Sequence, residues 1–475
     1  MTTSRMLTGA LCATTLLVPV AVAGTSSAAT STVQTSTPDR PGHRPEKGES
    51  LQPQIFAHRG ASGYRPEHTL AAYELAVGMR ADYIEPDLVM TKDGVLVDRH
   101  EPEISGTTDV ADHPEFADRK TTKDLDGTPT TGWFVDDFTL AELKTLRAKE
   151  RLGDLRQESS TYDGRFEVPT FEEVLRQRAR LSKETGREIG IIPEIKHSTY
   201  LHAEGFDPER EVARLAKKYH LNSKKAPMWV QSFELTALKD LRRAGYKGRS
   251  TFLTTAKGGP YDLHEQGTTY AELTTRRSMG ELSRWIDGFG PEKAQVIPLR
   301  ADGSLGEPTR FVADAHAAGL KVTPWTFRAE NSFLPTDHRI GTDPADFGRA
   351  LDEVTRFYEA GGAASVSVVT EPARSHGALA DLDAVRTAVE VPVLVNDVVV
   401  TPYQVHEARA HGADMLTLDA RLEGLVLEAL VERTHSLGML AVVEAHSRRE
   451  ALSAVEVGAR CVAVDARDPE TLDVD

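Results

Sequence analysis

From residue 53 onward the chain alternates short apolar runs with stretches of helical periodicity, and few folds accommodate that rhythm. "QIFAH", "ADYIEPDLVM", "GVLVDRH", "EIGIIPEIK", "MWVQSF", "KGRSTFLT", "AQVIPL" and "LKVTPWTF" have the length and composition of strands. Between them "HTLAAYELAVGM", "TFEEVLRQRARLSKETG" and "PEREVARLAKKYHL" repeat apolar residues at helical spacing. Strand–helix–strand repetition demands a parallel sheet. Eight such units close into a (β/α)8 TIM barrel, although a doubly wound open sheet satisfies the same alternation. The expected fold class is α/β, a barrel over residues 53–370 followed by a partial, half-barrel-like segment over 371–475. Residues 101–168, rich in Thr, Asp and Gly, break the rhythm and predict a long insertion after the second strand, over the barrel mouth. Residues 258–277 form a second, smaller one.

Charge narrows the function. The 475-residue chain carries a net charge of -16, which argues against a nucleic-acid partner, because phosphate backbones select basic surfaces. An acidic chain can still gather carboxylates around a divalent cation. Residues 1–30 read as a secretory signal peptide: Arg5, then the apolar "MLTGALCATTLLVPVAVA", then small residues. The polar, Pro-rich residues 31–52 read as a disordered linker. The expectation is an exported protein with no integral membrane segment after cleavage. Cys461 would then be its sole cysteine, leaving no intrachain disulfide.

The strand ends carry the chemistry. In "FAHRGASGYRPEHTL" an apolar pair is followed by His58, Arg59 and Gly60, the mouth of a strand suited to an anion. Glu85 and Asp87 stand two apart, so the period of 2 puts both carboxylates on one face of a strand. Facing inward, such a pair is costly unless a cation lies between them. Glu194 and Lys196 repeat the spacing, and His100, Gln231 and Trp325 arrive at further strand ends. Glu85, Asp87 and Glu194 can hold one hard divalent ion. His58 and His100 can serve as general acid and base. Arg59 and Lys196 can neutralise a phosphoryl group, with Gln231 and Trp325 in the substrate pocket.

"AHRGASGYRPEHTLAAYELAVGMRADYIEPDLVMTKDGVLVDRHEP", "TGWFVDDFTLAELKTLRAKERLGDLR", "VPTFEEVL", "PEIKHSTY", "WVQSFE" and "GLKVTPWTFRAEN" resemble the glycerophosphodiester phosphodiesterase family, most closely its exported type. The resemblance covers roughly residues 53–360. It implies a (β/α)8 barrel hydrolysing glycerophosphodiesters to glycerol 3-phosphate and an alcohol. It further implies Glu85, Asp87 and Glu194 as ligands of Ca2+ or Mg2+, His58 and His100 as the acid–base pair, and Arg59 and Lys196 as phosphate contacts. His68 stands where that family commonly has Asn, and Glu101 where Asp usually follows the second histidine; Glu67 reads as a structural partner at a helix start.

From about residue 356, "FYEAGGAASVSVVTEP", "LDAVRTAVEVPVLVNDVVVTPYQVHEARAHGADMLTL", "LGMLAVVEAH" and "GARCVAVDARDPETLDVD" resemble indole-3-glycerol-phosphate synthase over part of its barrel. Asn396 replaces that family's essential lysine and Asp465 an asparagine, while Glu444 is retained. A lyase is therefore disfavoured, and a non-catalytic remnant is expected. "ASVSVVTEP" is expected to close the first barrel. A non-enzymatic phospholipid-headgroup binder is the remaining alternative; it would keep Arg59 and Lys196 without needing both histidines.

Overall fold

The computed structural model describes residues 16–19 and 54–465, apart from Arg374, His376 and Glu423. The expected signal peptide and linker lie outside the described residues, save for one strand, Leu16–Pro19. Two compact units divide the chain: Pro53–Asp337 with Gly341–Asp346, and Phe347–Asp475 with His338–Ile340.

The strands of the first unit are β1 (Phe56–His58), β2 (Tyr83–Glu85), β3 (Asp87–Met90), β4 (Leu96–Asp98), β5 (Thr121–Leu125), β6 (Thr128–Gly132), β7 (Gly190–Ile191), β8 (Glu194–Ile195), β9 (Trp229–Ser232), β10 (Arg249–Thr254), β11 (Gly288–Pro291) and β12 (Lys321–Val322). β2 and β3 are one strand interrupted at Pro86, whose missing N–H breaks the ladder. β7 and β8 are likewise interrupted at Ile192 and Pro193. Pairing is parallel and follows chain order: β1 with β2, β2 with β7, β3 with β8, then β8, β9, β10, β11 and β12 in succession. β4 folds back antiparallel on β3. Alternation decides the faces. Ile84 and Leu88 join the core beneath the helices, while Glu85 and Asp87 fall on the other side.

The long insertion is ordered. β5 and β6 form a hairpin, and Ile104, Val110, Phe116, Trp133, Val135 and Phe138 build a buried cluster with Val89 and Val97 of the sheet.

In the second unit β13 (Val366–Val369), β14 (Val393–Asn396), β15 (Met415–Asp419), β16 (Leu440–Ala445) and β17 (Cys461–Val464) are parallel in chain order, with Leu16–Pro19 antiparallel at the β17 edge. Here the structure corrects one expectation. β13, carrying "ASVSVVTEP", pairs with β14 and not with the first sheet, and the preceding helix Ala350–Ala360 lies in the same unit. The unit boundary thus falls at 347, upstream of 370. The reason is local: β13 matches β14 over four residues, and Val366, Val368, Val393 and Val395 share one core. Among the described residues the first sheet holds seven parallel positions, and β1 and β12 each pair on one side only. No helix among them is long and apolar enough to cross a membrane.

Candidate active site

β1 ends at His58, and the chain turns through Arg59 (φ 60°) and Gly60 (φ 83°). A Cβ on Gly60 would sit 2.7 Å from the Ala72 carbonyl carbon on helix α1 (Leu70–Gly78), so only glycine admits this approach. Arg59 is locked on three sides. Its backbone N–H donates to Glu85 at 2.7 Å, its guanidinium donates to both Glu67 oxygens at 3.1 and 3.0 Å, and its Nε lies 3.7 Å from Asp87. Glu67, expected as a structural partner, is paired with the Arg59 guanidinium.

Sheet register brings the three carboxylates together. His58 stands opposite Glu85, Asp87 opposite Glu194, and Glu194 opposite Gln231. Glu85, Asp87 and Glu194 are 4%, 1% and 6% exposed, and each offers an oxygen within 4.8 Å of the others. Gln231 donates its amide to Glu85 at 3.0 Å, so it holds a carboxylate in place. Burial, with Asp87 adding to it, raises Glu85 well above the usual carboxylate range and pushes Glu194 up to about 7. Burial would raise Asp87 too, but the neighbouring His68 holds it well below. One buried oxygen, Asp87 Oδ1, has no hydrogen-bond partner. Converging hard oxygen donors and an orphaned acceptor fit a divalent cation such as Ca2+ or Mg2+.

Cationic and neutral groups ring this cluster. Lys196 Nζ lies 3.1 Å from Glu194 and 3.4 Å from His100 Nε2. Burial alone would lower its ammonium, but Glu194 and Asp87 hold it above its ordinary value. Burial and Arg59 lower His58 well below a free imidazole. Burial and Lys196 bring His100 down to about 4. Both rings are neutral at pH 7, able to take or pass a proton. Trp325 donates its indole N–H to Gly290 at 2.8 Å and meets Phe233 edge-to-face at 5.5 Å; Lys196 lies over the same Phe233 ring. Arg328, stacked on Phe333, is brought down to about 10 by burial and by Arg59.

Sequence reasoning missed a buried layer behind these groups. His68 bonds Asp87 through Nε2 and Asp98 through Nδ1, both at 2.8 Å, and Tyr73 donates to Asp98 at 2.5 Å. Burial opposes a charge on His68, yet Asp98 and Asp87 together push it up to about 10. The signal was visible as the departure from Asn in "PEHTL"; its partner Asp98 was not. Also missed were His197 and Asp126, described below. In the second unit Glu444, His446 and Asp465 form another group of ligand-type atoms, half-buried, and Asn396 stands at the end of β14.

The glycerophosphoryl diester phosphodiesterase family matches residues 58–363, and indole-3-glycerol phosphate synthase matches residues 345–475. The glycerophosphodiester phosphodiesterase GDPD6 of Arabidopsis thaliana is 36% identical over 298 residues, covering 60% of this chain and 77% of that protein. The indole-3-glycerol phosphate synthase of Mycolicibacterium vanbaalenii is 57% identical over 171 residues, but these span 35% of this chain and only 59% of that protein. A solved structure of a glycerophosphoryl diester phosphodiesterase from Silicibacter pomeroyi is similar with a TM-score of 0.42 at 22% identity, covering 57% of this chain and 82% of that one. With a match running through the site and over more than half of its length, the chain belongs to the glycerophosphoryl diester phosphodiesterase family.

Proposed function

We propose that this chain hydrolyses glycerophosphodiesters to glycerol 3-phosphate and an alcohol, using Glu85, Asp87 and Glu194 to hold Ca2+ or Mg2+. The observation that carries this reading is the meeting, at the breaks of two adjacent strands, of a buried carboxylate triad with two neutral imidazoles and the Lys196 ammonium. A bound cation supplies charge neutralisation at a phosphoryl oxygen. Lys196 and Arg59 bring fixed positive charge to the remaining phosphoryl oxygens. An imidazole that accepts the proton of the attacking hydroxyl becomes an imidazolium, and the departing alkoxide takes its proton from the imidazolium of the pair, which restores both neutral rings. The two rings are held differently: His100 is tied through Nδ1 to Glu101, while the His58 ring makes no hydrogen bond among the described residues. The N-terminal segment supports action outside the cell. A lyase activity for the second unit gains no support, since Asn396 stands where the resemblance requires a lysine.

The test is release of glycerol 3-phosphate from glycerophosphocholine by the full chain, with calcium, with magnesium and with EDTA, beside His58→Ala. Release that needs the metal and is lost with His58 is expected. Binding of glycerophosphocholine without turnover by metal-loaded protein would favour a headgroup binder instead.

A further inference from the structure

Behind His100 runs a chain of side chains that neither the family resemblance nor the triad accounts for. His100 Nδ1 lies 2.8 Å from Glu101 Oε1, Glu101 Oε2 lies 2.7 Å from His197 Nε2, and His197 Nδ1 lies 2.6 Å from Asp126 Oδ2. A carboxylate only accepts, so each ring nitrogen facing one carries a proton. Neutral His100 therefore keeps its proton on Nδ1 and turns Nε2 toward Lys196 as an acceptor. His197 faces carboxylates on both nitrogens. Burial opposes its charge, but Asp126 and Glu101 push it up to about 9, so it is an imidazolium at pH 7.

His197 sits at φ 46° and Asp126 at φ 51°, in the left-handed region that histidine and aspartate enter more readily than most side chains. Asp126 and Gly127 (φ 78°) are the two-residue turn of the β5–β6 hairpin, both with positive φ as a type I′ turn requires. Most of the hairpin is exposed or half-buried, so core packing alone does not fix its tip.

We propose that His197 and Asp126 are positioning residues for His100, acting through Glu101, and that the hairpin of the long insertion thereby belongs to the reaction machinery. Glu101 flanked by two imidazoles cannot rotate without breaking a charge-assisted bond, and a fixed Glu101 selects one His100 tautomer and ring angle. The other charged groups acting on His100 are Lys196, Arg59 and Asp87 from neighbouring strand ends, with Glu67 behind Arg59. This assignment rests on the hydrolytic reading of the site, and its test separates the two.

The experiment compares full-length, calcium-loaded wild type with His197→Ala, His197→Gln, Asp126→Asn and Glu101→Gln. It follows glycerophosphocholine hydrolysis across pH and the imidazole 15N spectrum of histidine-labelled protein. Expected are about ten-fold losses of kcat in His197→Ala and Asp126→Asn with KM within about two-fold, comparable to other second-layer positioning losses. His197→Gln recovers much of that loss, because its amide can still donate to Glu101. Glu101→Gln moves the limb set by His100 toward lower pH, since the carboxylate favouring its protonated form is gone. The His100 signals report a single Nδ1–H tautomer in wild type and a mixture in His197→Ala. Unchanged kcat and an unchanged His100 tautomer in both His197→Gln and Asp126→Asn, together with failure of His197→Ala to alter either, would overturn the proposal. Wild type that shows the locked tautomer without hydrolysing the diester would sink the functional reading and leave the positioning intact.

Discussion

Each unit of the molecule gathers three metal-capable side chains at its strand ends, under opposite conditions. Glu85, Asp87 and Glu194 are buried, with Arg59, His68 and Lys196 bonded to them or against them. Glu444, His446 and Asp465 are half-buried, with His446 3.7 Å from Glu444, and nearby Asp419 is neutralised by Arg421 through an exposed two-pronged pair. The second group is only partly withdrawn from water, and its charges act on the Asp419–Arg421 pair beside it. In the first, low dielectric makes every charge depend on its neighbours. Burial, more than ligand count, separates the two clusters.

Substitutions in matched pairs break or sharpen this contrast. His68→Ala strips the cation from between two buried carboxylates and is expected to destabilise the first unit by about 3–5 kcal/mol in urea melts. His411→Ala, which removes the exposed partner of Asp383, stays within about 1 kcal/mol. Equal losses would erase the distinction. Asp87→Asn is expected to lower kcat on glycerophosphocholine by about 10²–10³-fold, whereas Glu444→Gln leaves it unchanged. The His197 imidazolium gives a pH signature. Its folded pKa is raised from 6.5 to about 9, so its contribution is fully present below pH 6.5 and lost as pH rises through 9. The stability deficit of His197→Ala, at most about 3 kcal/mol, should be seen at pH 6 and vanish at pH 9.5. Calcium at about 100 times its Kd should raise the stability of the first unit by about 2.7 kcal/mol in calorimetry. Asp87→Asn should abolish that increment and Glu444→Gln should keep it; the reverse would move the metal to the second unit.

What was legible in the sequence followed from short-range rules. Period-2 spacing placed Glu85 with Asp87 and Glu194 with Lys196, and parallel strands that point their ends the same way brought His58 and Gln231 to them, while His100 returns to the site just beyond the antiparallel β4. Long-range partners were not legible. Asp98 lies thirty residues beyond His68, and nothing in either stretch announces the other. Asp126 reaches His197 from a hairpin whose Asp-Gly turn was a readable signal, hidden inside a stretch without sustained periodicity. The fate of "ASVSVVTEP" was undecidable from composition, since an apolar β-branched strand suits either sheet. Its valines were decided by the neighbours that follow them in the chain.

The alternation Asp98, His68, Asp87 has a consequence for how the molecule opens. A member that leaves alone strands its partners as unpaired buried charges, at a cost of about 3–5 kcal/mol, and Arg99, fully buried, is tied to the same His68 through its carbonyl. The loop before α1, the strand β3 and its antiparallel neighbour β4 must therefore assemble and separate together. Amide exchange over residues 68–73, 87–90 and 96–98 should proceed as one cooperative unit, slower than the loops around it. The core of this active site is thus also a latch, and the ionic order that shapes its chemistry makes partial opening at that place an all-or-none event.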